Sequence, residues 1–205
     1  MNPSNWIMLW CFALCIGFFS ACDDDDDDDP NQDVPENAFK DARDGQIYYM
    51  VEIGNQVWMA ENLNYKTDNG SWYYNNDASQ NSDHGMLYTF KAAKKAVPDG
   101  WRLPTDDDWK ELEMFLGMDQ KVANKEGFRG DDQGDQLKEG GSSGFNVLLS
   151  GMRTYDGDFV SRSIVGEFWS ATEKIAGFTS WSREFRDVSK QVGREENNIA
   201  AGLSV

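Results

Sequence analysis

The sequence predicts an α+β fold in which strands come first, two helices follow, and further strands complete the chain. Three observations support this prediction. Residues 46–59 are rich in β-forming side chains around a Gly-Asn pair, residues 87–116 repeat apolar side chains at helical spacing, and the chain after Phe145 alternates short apolar runs with Gly and Asp turns. Aromatic residues make up 13% of the chain, which argues against a wholly disordered protein.

The first predicted element is a β-hairpin. Residues 46–53 and 56–59 are mostly apolar or β-branched, and Gly54-Asn55 lies between them. A two-residue loop of this kind joins antiparallel strands, because its backbone twist matches that of the strands. We therefore expect strands over 46–53 and 56–59.

Two helices are predicted next. Apolar side chains recur at helical spacing over residues 87–97, before the Asp99-Gly100 break. Thr105 is the expected N-cap of a second helix, with Asp108 three residues later as a capping-box partner. The buried stripe of that helix comprises Trp109, Leu112 and Leu116. A short helical turn is expected at 121–126.

Four later segments are predicted as strands, separated by turns rich in Gly and Asp. They are residues 145–149, 168–172, 178–185 and 199–205. The third does not alternate cleanly between apolar and polar side chains, so its register is weakly specified by the sequence.

Charge and cysteine content exclude several classes of function. The 205-residue chain has 36 acidic and 19 basic residues, a net charge of −17, whereas a nucleic-acid binder needs a basic patch. All three cysteines lie within residues 1–22, and His84 is the single histidine. From residue 23 onward the chain therefore has no disulfides, no Cys/His zinc site and no thiol nucleophile, and a catalytic triad based on histidine is not expected.

The N-terminus is predicted to target the protein to a membrane. Residues 1–21 have the features of a signal peptide with an uncharged core, and Phe19-Ser20-Ala21-Cys22 resembles the bacterial lipobox. This resemblance implies that Cys22 is lipidated. Seven aspartates follow at 23–29, within a flexible linker over 22–36. The run is either a solvated spacer or, as it resembles, a surface-export signal of Bacteroidota lipoproteins. We expect an outer-membrane, lipid-anchored and surface-exposed protein.

The remainder, residues 37–205, resembles a known family through a series of short motifs in order. They are residues 53–65 (IGNQVWMAENLNY), 85–90 (GMLYTF), 98–105 (PDGWRLPT), 150–153 (SGMR), 168–173 (FWSATE) and 202–205 (GLSV). Together they resemble the Fibrobacter succinogenes major paralogous (FISUMP) domain. The resemblance implies neither an activity nor catalytic residues.

Residues 102–105 with Trp109 also resemble the formylglycine-generating sulfatase-modifying family. That similarity implies a single C-type-lectin-like domain with two main helices, antiparallel sheets and a paired strand from each terminus. Its oxidase chemistry needs a cysteine pair. We exclude that activity, since no cysteine follows Cys22.

Trp72, Tyr73, Tyr74 and Arg153 are the candidate ligand-binding residues. The three consecutive rings lie in a polar, loop-like segment, where an exposed pair could stack on a sugar or anchor a protein. They could equally fold back over the core, and Arg153 could equally fix its own loop. The predicted function is a non-enzymatic, lipid-anchored surface protein that binds glycan or a protein partner through its loop face. A structural envelope component and a carboxylate-based hydrolase remain alternatives.

Acidic residues were considered as catalytic groups and as metal ligands. A hydrolase needs two carboxylates across a cleft, whereas residues 106–108 have a simpler role at a helix N-terminus. No cofactor is expected. Weak oxygen ligands for a structural calcium ion are Asp77, Asp83, Asp131 and Asp135, although neither segment fits a calcium-loop motif.

Overall fold

The computed structural model describes residues 34–80 and 82–205, except for the side chain of Gln80. The predicted signal peptide, the lipidation site Cys22 and the aspartate run 23–29 lie outside these described residues. Within them, no helix is both long and apolar enough to span a membrane.

The described part of the chain forms eleven strands and four α-helices. The strands are β1 (Ala38–Lys40), β2 (Ile47–Ile53), β3 (Gln56–Met59), β4 (Ser71–Trp72), β5 (Leu87–Tyr88), β6 (Gly127–Arg129), β7 (Met152–Arg153), β8 (Phe159–Val160), β9 (Val165–Ile175), β10 (Thr179–Arg186) and β11 (Val192–Asn198). The helices are α1 (Phe90–Ala96), α2 (Asp106–Phe115), α3 (Gln120–Ala123) and α4 (Gln133–Leu137). The predicted α+β class is confirmed, and the C-type-lectin-like arrangement stays a prediction.

The predicted hairpin is confirmed as β2 and β3, which pair antiparallel, and β1 adds a third strand on β2. Its turn requires glycine at position 54. Gly54 has φ +65°, and a Cβ there would lie 2.8 Å from Cδ2 of Phe115. The turn is thereby held close to the C-terminal end of α2.

The second predicted helix is confirmed, with its cap. The hydroxyl of Thr105 accepts from the Asp108 backbone N–H at 3.1 Å, and the Asp108 carboxylate accepts from the Thr105 N–H at 2.7 Å. Trp109 and Leu112 are buried, while Leu116 is half-buried. The predicted turn at 121–126 appears slightly earlier, as α3.

The first predicted helix begins later than expected. Leu87 and Tyr88 form β5 instead, because the Tyr88 N–H donates to the Leu203 carbonyl at 2.8 Å and β5 pairs with β4. Thr89 then caps α1, its hydroxyl accepting from the Ala92 N–H. The helical spacing of apolar residues therefore extends into residues 87–88, which pairing with distant residues holds as a strand.

The largest sheet has the antiparallel order β6-β11-β10-β9. Strand β9 contains the predicted strand 168–172, and β10 begins one residue later than the predicted strand 178–185. β6 and β11 were not predicted.

Two other strand predictions were wrong. Residues 145–149 make a single bridge, Val147 with Lys138, and otherwise form no ladder. Residues 199–205 bridge three separate partners, since Gly202 contacts Arg153, Leu203 contacts Tyr88, and Ser204 contacts Phe168. The terminal segment is thus fixed between several elements and does not extend a sheet, and β1 pairs with β2 rather than with it.

A buried ionic cluster holds α2 on the large sheet. Glu113 accepts from Arg129 Nη2 and Arg183 Nε, both at 2.6 Å, and all three side chains are at most 2% exposed. Asp106 pairs with Arg183 and Arg194 at 2.9 and 2.8 Å. Burial opposes ionisation of Asp106, but these arginines outweigh it and keep its pKa well below the ordinary value. Asp106 therefore serves as an ion-pair partner as well as a first-turn acid.

Candidate functional site

An open cleft of about 460 Å³ lies between the β2–β3 hairpin, the loop 97–104, the start of α2 and β9. A volume of this size is within the range of small-ligand sites. Its walls come from segments far apart in the sequence, and the large sheet supplies part of its floor.

Six aromatic residues are among those that line the cleft. Trp109 and Trp169 are buried in the floor, and Trp58 packs on Trp109 with 5.0 Å between ring centroids. Trp101 is only half-buried and stacks on Phe39 at 4.9 Å. Trp101 therefore offers partly open aromatic surface to a bound molecule.

The polar end of each floor ring is satisfied within the protein. Trp169 Nε1 donates to the Tyr88 carbonyl at 2.6 Å, and Trp109 Nε1 donates to the Trp169 carbonyl at 3.4 Å. Because both indole N–H groups are already bonded, the two rings offer only apolar faces and edges to the cleft. Hydrogen bonds to a ligand would have to come from polar residues at the rim.

The rim has one closed ion pair and one carboxylate without a protein partner. Arg102 forks onto both oxygens of Asp108, and this contact is the largest cause of the lowered pKa of Asp108. Glu61 is half-buried and makes no hydrogen bond or ion pair with a residue that the structure describes. Asn62 is occupied, donating to Ser150 Oγ at 2.8 Å.

The candidate residues predicted from the sequence lie elsewhere, and only some of them meet. Arg153 places its guanidinium carbon 4.2 Å from the ring centroid of Trp72. Tyr74 packs edge-on against Phe159 at 5.5 Å, whereas Tyr73 packs against the core around α1. The three consecutive rings are each half-buried and have different surroundings, so they do not form one flat exposed platform.

The weak calcium candidates are not gathered into a metal site. Across residues 34–80 and 82–205, no three His, Cys, Asp or Glu side chains are placed to hold an ion. Asp77 accepts from the hydroxyl of Ser79 at 2.6 Å, and Asp135 pairs with Lys138 at 2.9 Å. Asp83 accepts from Ser82 at 3.2 Å, and the backbone N–H of Asp131 donates to Gln133.

One pair of acids meets part of the expectation for a hydrolase. Glu167 lies opposite Glu184 in the β9–β10 register, and burial, followed by the charge of Glu184, raises the pKa of Glu167 to about 7. Glu167 is 4% exposed and accepts hydrogen bonds from Ser182 and Asn197. Neither glutamate lines the aromatic cleft.

Sequence reasoning missed the cleft although its rings were visible. Trp58, Trp109 and Trp169 are buried core residues, whereas Trp101 is half-buried. The available signal was that each motif block around 53–65, 98–105 and 168–173 carries a tryptophan beside polar residues. The overlooked residue is Glu61.

The structure is a small mixed α+β domain with an open cleft that aromatic and polar residues line. The chain belongs to the Fibrobacter succinogenes major domain family, whose family model matches residues 51–205. The FISUMP prediction is thereby confirmed. No curated protein and no solved structure matched the chain.

Proposed function

We propose that this protein is a non-catalytic, lipid-anchored surface module that binds a neutral glycan in the aromatic cleft. The observation that carries the proposal is the combination of the half-buried Trp101 ring with the unpartnered Glu61 carboxylate in a cleft of about 460 Å³. A sugar ring has an apolar C–H face that stacks on an indole and hydroxyls that donate to a carboxylate.

The charges of the cleft favour a neutral ligand over an anionic one. Asp108 neutralises Arg102, so Glu61 is the charged side chain of the cleft lining that has no ion-pair partner among the described residues. A net charge of −17 on the whole chain also repels polyanions. A protein partner is less favoured, because the surface is concave and of small-ligand size.

The state of the two acidic side chains that line the cleft, Glu61 and Asp108, supports a binding role over glycoside hydrolysis. That reaction needs a protonated acid and a second carboxylate across the sugar. Asp108 accepts from Arg102 and Thr105, which holds it ionised, and Glu61 alone cannot fill both roles. The raised pKa of Glu167 favours a hydrolase, but that side chain is buried and does not line the cleft.

The anchor and the surface location rest on the N-terminal sequence. A lipidated Cys22 with two or three acyl chains would hold the protein at a membrane effectively permanently. The linker 22–36 would then let the binding domain extend from the membrane surface.

The test is calorimetric titration of the full chain in mild detergent with neutral oligosaccharides of several linkages. Trp101→Ala should weaken binding at least about tenfold, since truncating an aromatic anchor costs about 2 kcal/mol or more. Glu61→Gln should weaken it less while keeping the fold. Phe178→Ala and Glu52→Gln remove an exposed ring and an exposed acid elsewhere and should leave affinity unchanged.

Two results would contradict the proposal. One is an absence of binding to every neutral glycan, or binding that neither cleft variant alters. The other is release of reducing sugar ends from a bound oligosaccharide, abolished by Glu61→Gln or by Glu167→Gln, which would identify the protein as a hydrolase.

A further inference from the structure

Arg153 differs from the paired arginines in its hydrogen bonding. Six arginines form ion pairs with carboxylates: Arg43, Arg102, Arg129, Arg183, Arg186 and Arg194. The Arg153 side chain makes no hydrogen bond or ion pair with any residue in the described ranges. Its guanidinium carbon lies 4.2 Å from the Trp72 ring centroid and 5.9 Å from that of Phe159. Five N–H donors are therefore held against rings and left for another partner.

The backbone fixes this arrangement. Arg153 and Gly202 exchange two backbone hydrogen bonds, at 2.8 and 2.7 Å. A Cβ on Gly202 would lie 3.0 Å from the Arg153 Cβ and 3.5 Å from Trp72 Cε3. The close approach that glycine allows brings the arginine onto the indole, so the guanidinium is preorganised before any ligand arrives.

The surroundings have the chemistry of an anion site with an aromatic border. Tyr74 packs on Phe159, and Tyr155 is 63% exposed in the turn between β7 and β8. In the same turn Gly157 approaches the guanidinium, and a Cβ there would lie 2.9 Å from Arg153 Nη2. None of these residues lines the aromatic cleft, so this surface is separate from it.

We propose that Arg153, with Trp72 beneath it, binds the carboxylate of an acidic sugar of the hexuronate type. The planar guanidinium fork matches a carboxylate through two parallel N–H···O bonds, and the nearby rings suit the apolar face of a pyranose. The exposed acids Asp156 and Asp158 lie in the same hairpin and form no ion pair with Arg153. Their negative charge disfavours a dianionic phosphate or sulfate more than a singly charged carboxylate.

The experiment titrates the ¹⁵N-labelled full chain in mild detergent with glucuronate, glucose, acetate and inorganic phosphate. The Arg153 Nε–H resonance, assigned by its loss in Arg153→Lys, should shift on addition of glucuronate and should not respond to glucose. Glucuronate should bind at least fivefold more tightly than acetate or phosphate. Arg153→Lys keeps the charge and loses the fork, so glucuronate affinity should fall at least tenfold.

Two further variants separate recognition from folding. Arg186→Lys changes an exposed arginine on the large sheet and should leave glucuronate affinity unchanged. Trp72→Phe keeps a ring under the guanidinium and should reduce affinity only a few-fold. The thermal midpoint of each variant identifies a loss of binding that comes from unfolding.

The inference is overturned if Arg153→Lys binds glucuronate as the unmodified chain does, or if glucose shifts the Arg153 Nε–H resonance with equal affinity. Equal affinity for acetate or phosphate would overturn the sugar assignment. Since the two sites share no residue, Arg153→Lys should leave neutral glycan binding intact, and Glu61→Gln should leave glucuronate binding intact. Failure of one proposal is thereby distinguishable from failure of the other.

Discussion

Replacing Glu113 with glutamine should destabilise the domain more than most single polar substitutions. The Glu113 carboxylate is fully buried and accepts from both Arg129 and Arg183 at 2.6 Å. A glutamine has one acceptor oxygen, and its amide nitrogen would face one of the two guanidinium groups, donor against donor. Among the described residues, the buried Nε of Arg129 already lacks a hydrogen-bond partner. We therefore expect no nearby acceptor to replace the lost carboxylate oxygen.

The expected magnitude follows from leaving buried positive charge uncompensated. Removing one partner from a buried ion pair typically costs about 3–5 kcal/mol. For a domain of this size each kcal/mol lowers the thermal midpoint by about 2–4 °C, so Glu113→Gln should lower it by about 6–20 °C. Urea unfolding of the full chain in detergent, followed by tryptophan fluorescence, measures the free energy directly.

Glu111→Gln provides the matched control. Glu111 lies on the same helix and is exposed, and its replacement should change the free energy of unfolding by no more than about 0.5 kcal/mol. A loss below about 1 kcal/mol for Glu113→Gln, or one equal to that of Glu111→Gln, would refute the inference that the buried ionic cluster stabilises the packing of α2 on the sheet.

Three further outcomes are expected. Thr105→Ala should lower the free energy of unfolding by about 1 kcal/mol through loss of the N-cap, and Thr105→Ser should restore it; equal stability of both variants would contradict this. Because folding raises the pKa of Glu167 from 4.5 to about 7, its contribution is complete below about pH 4.5 and is lost as the pH rises through 7. In the unmodified chain the free energy of unfolding should fall by roughly 3 kcal/mol between those pH values, and Glu167→Gln should remove this fall. Urea titrations across the pH range measure it, and an unchanged pH dependence in the variant would contradict the raised pKa. Cys22→Ser should move the protein from the membrane pellet to the supernatant, and a variant that still pelleted would disprove the anchor.

Elements whose signals are local could be predicted from the sequence. Gly54-Asn55 specifies the hairpin turn, and Thr105 with Asp108 specifies the start of α2, because each motif forms its hydrogen bonds within a few residues. The helix predicted at 87 failed at its first turn. There Tyr88 bonds to Leu203, a partner more than a hundred residues away that periodicity does not detect.

Elements that depend on distant partners could not be predicted. Strand β11 has the polar sequence VGREENN, and Arg194 can be buried in it only because Asp106 arrives from α2. Arg183 is fully buried for the same reason, opposite Glu113. In the sequence, the polar residues of these strands therefore look like loop or surface residues, because their ion-pair partners lie on a distant helix.

The cleft was hidden from the sequence for a related reason. Glu61, Trp101 and Trp169 come from three segments that are far apart in the sequence and line the same cleft. The single tripeptide 72–74 attracted attention because its rings are consecutive, yet adjacency in sequence gave them different surroundings in the fold. Arg153 contacts Trp72, and the ligand-binding role of both residues stays a prediction.

The N-terminus of α2 couples stability to the shape of the cleft. Asp108 accepts the capping hydrogen bond from Thr105, and the same carboxylate holds Arg102 at the rim. The Asp108 carbonyl also accepts from Gln56 of the hairpin at 3.1 Å. A substitution at Asp108 would therefore alter helix stability, rim charge and hairpin position together, and a lost ligand would reveal nothing about which was responsible. Glu61→Gln changes the rim without touching the cap, and Thr105→Ser changes the cap without removing its oxygen. Comparing these two variants separates binding from folding.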